Sequence, residues 1–514
     1  MSFFKYGIDT LTVAKAIDLS TGKRIGIIDD VAKQKINQSQ QYVNEIVANN
    51  DTVYGINTGF GILSNKKISE EDTKTLQYKI LQSHSVGVGN PIPKQVAKLM
   101  LITKLQALAQ GFSGVQLSTL ERILWHIDHD VIPVVPEKGS VGASGDLAPL
   151  AHLCLPFIGL GEVFYKDIII KTNELFQLEN LSPITLGPKE GLALINGTQF
   201  ILSYALADVQ RMHNCLEVAD IIGAMSLEAL QGTKAPFDER LHQLRPFKGN
   251  QLVAQRLRLL LQDSEIMNSH EDCDRVQDPY SLRCMPQVHG ASRNAWLHLK
   301  KLTEIEINAV TDNPIIFNAD DTISGGNFHG QPLALPLDYC CFAASELGNI
   351  SDRRCYLLLE GKFGLPMLLM SEVGLNSGFM IPQYTTAALV TENKTLCFPA
   401  SADSIPTSLG QEDHVSMGSI SGRKLYQILD NLEYILAIEL MSACQAIEFR
   451  KPLKSSALLE TAHSFVRQTV SFANEARMFA DDLNQIKKII ADFSFVNHIG
   501  NSKTLNENYN EFEL

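Results

Sequence analysis

The chain is 514 residues long, 45% apolar and 20% charged, which permits a sizeable globular core. Acidic side chains outnumber basic ones 57 to 44, for a net charge of −13; this argues against the basic stripe of a nucleic-acid-tracking surface and for a small-molecule partner. The opening MSFFKYGIDTLTVAK carries Lys5 inside its only apolar patch and makes a poor signal peptide, and no run approaches the roughly 18 apolar residues of a membrane span.

Length alone suggests about three average domains, or one large core with an appended part. Residues 1–205 read as mixed. RIGIIDD and EVFYKDIIIKT have the β-branched character of short strands, and KQVAKLMLITKLQALAQGF and LSTLERILWHIDH read as helices. Glycine and proline punctuate this part at YGINTGFGI, GVGNPIP and IPVVPEKGSVG. From about residue 206 to 514 the texture is helical. ALADVQRMHNCLEVADIIGAMSLEALQG ends at a glycine stop. LDYCCFAASELGNISDRRCYLLLEGK and GRKLYQILDNLEYILAIELMSACQAIEF are apolar over more than one face, as in a bundle or a subunit interface. A C-terminal helical stretch is expected over 459–493, then a frayed acidic tail, NENYNEFEL. The expected fold is mainly α: an N-terminal mixed domain, then a long central helical bundle. The nine cysteines form no C-x-x-C pair and read as reduced, mostly packed thiols in a cytoplasmic protein.

The densest cluster of small residues is GSVGASGDLAPLAHL, Gly139 to Leu153. It matches neither phosphate-loop pattern, and Asp146 stands where a nucleophile elbow needs glycine. The plain reading is a tight turn before a helix. A chemical reading also exists. The amide nitrogen of Gly145 can attack the carbonyl carbon of Ala143, since a residue without Cβ lets that nitrogen swing in. Loss of one water closes an imidazolone, and loss of a second from Ser144 leaves an exocyclic methylene, a strong electrophile. Such a turn must be held compressed, a form of stored strain.

GSVGASGDLAPLAH resembles the signature of the aromatic amino acid ammonia-lyases, which carry this methylidene-imidazolone (MIO) group. The resemblance extends over nearly the whole chain, through YGINTGFG, SHSVGVG, EGLALINGTQ, VQDPYSLRCMPQVHG, TDNPIIF, SGGNFHG, SGFMIPQ and QEDHVSM. It implies an MIO formed from Ala143-Ser144-Gly145, no required metal, and a homotetramer with shared active sites. The QEDH run is the histidine-type version. It implies elimination of ammonia from L-histidine to give urocanate, the first step of histidine breakdown. A tyrosine ammonia-lyase or an MIO aminomutase is the alternative; a non-catalytic binding or structural relative is a distant one.

In VQDPYSLRC, Asp278 suits a helix N-cap and Pro279 the first helical position. Tyr280 and Arg283 then share a face, with Gln277 at the mouth of the turn. Arg283 offers a fork for a carboxylate, and its charge favours ionisation of Tyr280. On its own this is a capped surface helix; the resemblance makes Gln277, Tyr280 and Arg283 active-site residues. It also places Tyr54 in a lid loop over the site, making both Tyr54 and Tyr280 candidates for removing the β-proton. His84 and Glu412 would ordinarily be a packed histidine and a solvated carboxylate. Together they complement the donor and acceptor of an imidazole, and the resemblance places both at the side-chain end of the pocket. Asn196 would otherwise be a turn residue and Phe328 a core residue; the resemblance sets both against the MIO group. Ser85, and the stretch GLPMLLMSEVGLNSGFM, depart from the usual histidine-type pattern and bear on secondary specificity. His270, Glu271, Asp272 and Cys273 have metal-ligand types but spacing too tight for one tetrahedral site, so a polar loop is expected there.

Overall fold

The computed structural model describes residues 3–49, 52–56, 58, 70–271, 275–500 and 502–514. They form two compact units. The first comprises Met1–Ala207, Lys300–Leu337 and Pro399–Arg423; the second comprises Asp208–Leu299, Asp338–Phe398 and Lys424–Leu514.

The first unit mixes helices with small sheets. Phe4–Lys5 pairs in parallel with Gly26–Ile27. The expected strand in RIGIIDD stops there because Asp29 caps the helix Asp30–Ala48, accepting from the Ala32 amide at 2.9 Å. Glu162–Tyr165 and Ile168–Lys171 form a hairpin, with Val163 opposite Ile170. The helix Lys94–Leu108 is buried on every face from Val96 to Leu108, lysines included. Such a helix belongs to an interior, and its charged residues need internal partners. Leu147–Cys154 forms the helix that follows the glycine-rich turn.

The three long periodic segments form helices that begin a few residues early: Gln199–Ala229, Gln331–Leu359 and Gly418–Glu448. In the second unit they enclose buried charge. Asp220 accepts from Arg256 at 2.7 Å, Arg293 at 2.6 Å and His289 Nδ1 at 2.7 Å. Arg293 also reaches Glu217 at 3.0 Å, and Arg354 donates to Glu439 at 2.9 Å.

Two expectations for the C-terminus need correction. The stretch 459–493 is two helices, Ala457–Arg467 and Phe479–Ala491, separated by non-helical chain. The tail is docked rather than frayed: Phe512 is fully buried, its carbonyl lies 3.0 Å from His213 Nε2, and Asn506 accepts from Arg256 at 2.6 Å. An apolar anchor and buried hydrogen bonds outweigh the entropy of a free end.

Candidate active site

The glycine-rich segment makes a turn with three left-handed residues within four: Gly142 at φ 82°, Ser144 at 53° and Gly145 at 79°. Serine rarely adopts that region, so neighbours must impose it. They do so from two sides. A Cβ on Gly145 would fall 2.1 Å from the Gly197 carbonyl oxygen, and one on Gly142 would fall 2.2 Å from Ser416 Oγ. Both positions therefore require glycine. On the first side, Asn196 Nδ2 donates to the Ser144 carbonyl at 2.9 Å, and the Asp146 amide donates to the Gly197 carbonyl at 2.8 Å. On the other, Met417 N donates to the Val141 carbonyl at 3.0 Å and Ser419 Oγ to the Ser140 carbonyl at 2.7 Å.

The turn opens into a cavity of about 560 Å³. Tyr54, Ala143, Ser144, Asn196, Phe328 and Glu412 all line it, with Asn313, His329 and His414. Tyr54 is placed by its neighbours: Gly55 N donates to Thr58 Oγ1 at 3.2 Å, and Ile56 is buried against Val43, Ile46 and Ile316. Glu412 follows three left-handed residues, Ser408, Leu409 and Gly410, and its carbonyl accepts from Thr407 N at 2.8 Å. One Glu412 carboxylate oxygen, Oε2, is buried without a hydrogen-bond partner. Such an oxygen is costly unless something supplies a donor.

His84 ends the helix Glu70–His84 and lines a smaller cavity of about 220 Å³ with Ala143 and Gly145. His84 and Glu412 thus flank the turn without lining one cavity; Ala143 lines both. Burial holds the His84 imidazole below its ordinary pKa, favouring the neutral ring.

Gln277, Tyr280 and Arg283 belong to the second unit and do not line that cavity. Tyr280–Arg283 is a single helical turn. Tyr280 is 71% exposed, and the Arg283 guanidinium carbon lies 4.6 Å from its ring centroid, so the shared face is as expected. The expected N-cap is not: Asp278 instead accepts from Thr233 N at 2.6 Å and Arg275 at 2.8 Å. A backbone donor and a guanidinium together hold a carboxylate better than one cap bond does. Arg283 Nε is buried without a partner. In the polar cluster, both His270 ring nitrogens face main-chain carbonyls at 2.8 Å and Glu271 pairs with Lys234 at 3.2 Å. Asp272 and Cys273 lie outside the described residues.

Sequence reasoning passed over three groups around the turn. Asp146 is fully buried and accepts from Ser140 Oγ, Phe200 N and Ile201 N; burial raises its carboxyl to about 7. Lys104 is also fully buried, and burial brings its ammonium down to about 8. His329 accepts from Gln331 N on Nδ1 and lies against the His414 carbonyl through Nε2, each at 3.3 Å. The one local signal was a lysine, Lys104, within the mostly apolar run LMLITKLQAL.

The chain's relatives agree with this chemistry. A profile of the aromatic amino acid lyase family matches residues 11–468. A histidine ammonia-lyase of Natranaerobius thermophilus is 45% identical over 479 residues, 93% of this chain and 94% of that protein. The structure of histidine ammonia-lyase from Trypanosoma cruzi matches with a TM-score of 0.91 at 39% identity, over 100% of this chain and 97% of that one. Tyrosine aminomutase from Streptomyces globisporus matches at 0.92 and 31% identity, over 97% and 98% of the two chains. The chain belongs to the aromatic amino acid lyase family and is a carbon–nitrogen lyase.

Proposed function

We propose that the chain eliminates ammonia from L-histidine to give urocanate. The observation that carries this reading is Glu412, which lines the cavity with Ser144 and, among the described residues, carries a buried carboxylate oxygen without a partner. An imidazole N–H satisfies that oxygen. A phenyl ring cannot, and a phenol offers a single hydroxyl.

The turn fits an electrophile built from Ala143, Ser144 and Gly145, since Ser144 and Gly145 are both held left-handed and Gly145 has no room for a side chain. That group, an MIO, supplies an electrophilic carbon that makes an otherwise unreactive β-proton and amine separable. In this reading Tyr54, in the same cavity, takes the β-proton. Asn196 holds the turn through the Ser144 carbonyl, and Phe328 walls the cavity. His84, kept neutral by burial, lines the smaller cavity beside Ala143, and in this reading it too is a substrate-binding residue. Gln277, Tyr280 and Arg283 serve from another copy of the chain in a cytoplasmic homotetramer. The exposure of Tyr280 and the unsatisfied Arg283 Nε support that role. Arg283 then clamps the substrate carboxylate. No metal takes part.

The second reading, a tyrosine ammonia-lyase or aminomutase, draws on the structural likeness to tyrosine aminomutase. Incubating purified protein with histidine, tyrosine and phenylalanine separates the two. Histidine alone is expected to give its conjugated acid efficiently. Glu412→Ala is expected to lower kcat/KM for histidine by about 10²- to 10⁴-fold while leaving the turn's chemistry intact. Preference for tyrosine, or unchanged histidine turnover in the variant, overturns the assignment.

A further inference from the structure

We propose that Lys104 is a positioning residue for the electrophile turn, holding the main chain at Asn196 so that Asn196 and Gly197 can clamp Ser144. This rests on the electrophile reading above. Lys104 lies on the buried helix Lys94–Leu108 and is 1% exposed. A buried ammonium normally needs a carboxylate. Lys189, equally buried, has one in Asp312 at 2.7 Å. Among the described residues Lys104 forms no salt bridge. Its Nζ donates instead to the Asn196 carbonyl at 2.7 Å and, more weakly, to Gln199 Oε1 at 3.4 Å.

That carbonyl belongs to the residue from which the turn is held. Asn196 is extended, at φ −88° and ψ 132°, just past the helix Glu190–Ile195. From there Nδ2 reaches the Ser144 carbonyl at 2.9 Å, Gly197 N reaches the same oxygen at 3.4 Å, and the Gly197 carbonyl accepts from Asp146 N. Hydrogen bonds from a charged donor are about twice as strong as neutral ones. The ammonium therefore fixes the Asn196–Gly197 peptide, and the two residues it joins make all three of these bonds to the turn. Lys104 does not line the cavity, so it acts through Asn196 and not on the substrate. Its lowered pKa, caused by burial, accords with an ammonium that has no ion-pair partner.

The test uses the full chain and the tryptic peptide 139–166, bounded by Lys138 and Lys166. Wild-type peptide is expected to be lighter by two waters; a wild-type peptide of unmodified mass overturns the electrophile reading itself. Lys104→Met replaces the ammonium with an apolar side chain of similar length. It is expected to fold with a cooperative melt, to leave most chains without the mass deficit, and to lower kcat per matured site on the order of a hundredfold with little change in KM. Lys104→Gln, which keeps an N–H donor on a shorter stem, is expected to recover part of both losses. Maturation and turnover within about threefold of wild type in Lys104→Met overturn the proposal. So does a rise in KM alone. Failure of both variants to fold makes Lys104 a folding residue and overturns it equally.

Discussion

Both units bury charge, and two clusters, one in each unit, handle it in opposite ways. In the second unit every buried carboxylate of the central cluster meets a cation. Burial by itself would raise Asp220, but Arg293, the His289 hydrogen bond and Arg256 hold it well below the usual carboxylate range. Beside the glycine-rich turn, Asp146 receives only neutral donors and Lys104 only neutral acceptors. Burial then dominates, and the two groups move to about 7 and about 8. Paired charge stays ionised and serves as internal scaffolding. Buried charge without an ion-pair partner is moved toward neutral pH, and beside the turn both signs of it occur together.

This contrast can be broken in three places. The largest effect is expected from Ser144→Ala, which removes the source of the methylene carbon. Turnover should fall by at least ~10³-fold and the two-water deficit should vanish. The unfolding midpoint should barely move, because Ser144 contributes no buried charge pair. Near-normal activity would sink the electrophile. Next comes Asp220→Asn, which leaves Arg256 and Arg293 poorly compensated inside the second unit. Urea denaturation should show a loss of about 3–5 kcal/mol, with the mass deficit of the turn still present. An unchanged midpoint would show that the pairing is incidental.

The smallest effect is a difference in sign. The Asp146 carboxyl is raised from 3.8 to about 7 in the folded chain. Its contribution to stability is therefore full below its unfolded value and is lost as pH rises through about 7. Asp146→Asn should gain stability relative to wild type as pH rises from 4 to 8. Asp220 is lowered, so its contribution is present above 3.8 and is lost as pH falls below it. Asp220→Asn should flatten the acid limb instead. Denaturation midpoints of both variants from about pH 2 to pH 8 check the point, and slopes of the same sign would refute it.

Much of the fold could be read from local pattern. The helices Gln199–Ala229, Gln331–Leu359 and Gly418–Glu448 announce themselves by periodicity, and only their starts were misjudged. The Asp278 cap failed because Thr233 and Arg275 compete for the same carboxylate, and no feature of VQDPYSLRC records them. The tail failed likewise: nothing in NENYNEFEL marks Phe512 as an anchor. Residues 300–337 and 399–423 belong to the unit that carries the turn, a return that local texture does not mark. At the site, composition marks the small residues and the resemblance marks Glu412, and the cavity gathers Tyr54, Ser144, Asn196, Phe328 and Glu412. Lys104 was missed because its partner lies 92 positions away. Periodicity reports how buried a residue is, not what it meets there.

The bracing of the turn also sets an order of events in time. Gly142 packs against Ser416, and the Val141 and Ser140 carbonyls accept from Met417 and Ser419. Those residues follow the turn by more than half the chain's length. A ribosome has therefore made the turn long before it makes the residues that hold it shut. The electrophile should be a late product of synthesis, absent from nascent chains halted before Ser416 and present only after the segment Ser416–Ser419 has emerged and docked. On the electrophile reading, the reactive carbon is thereby withheld until the segments that brace the turn have docked, which spares the half-made chain from reacting with the amines and thiols around it.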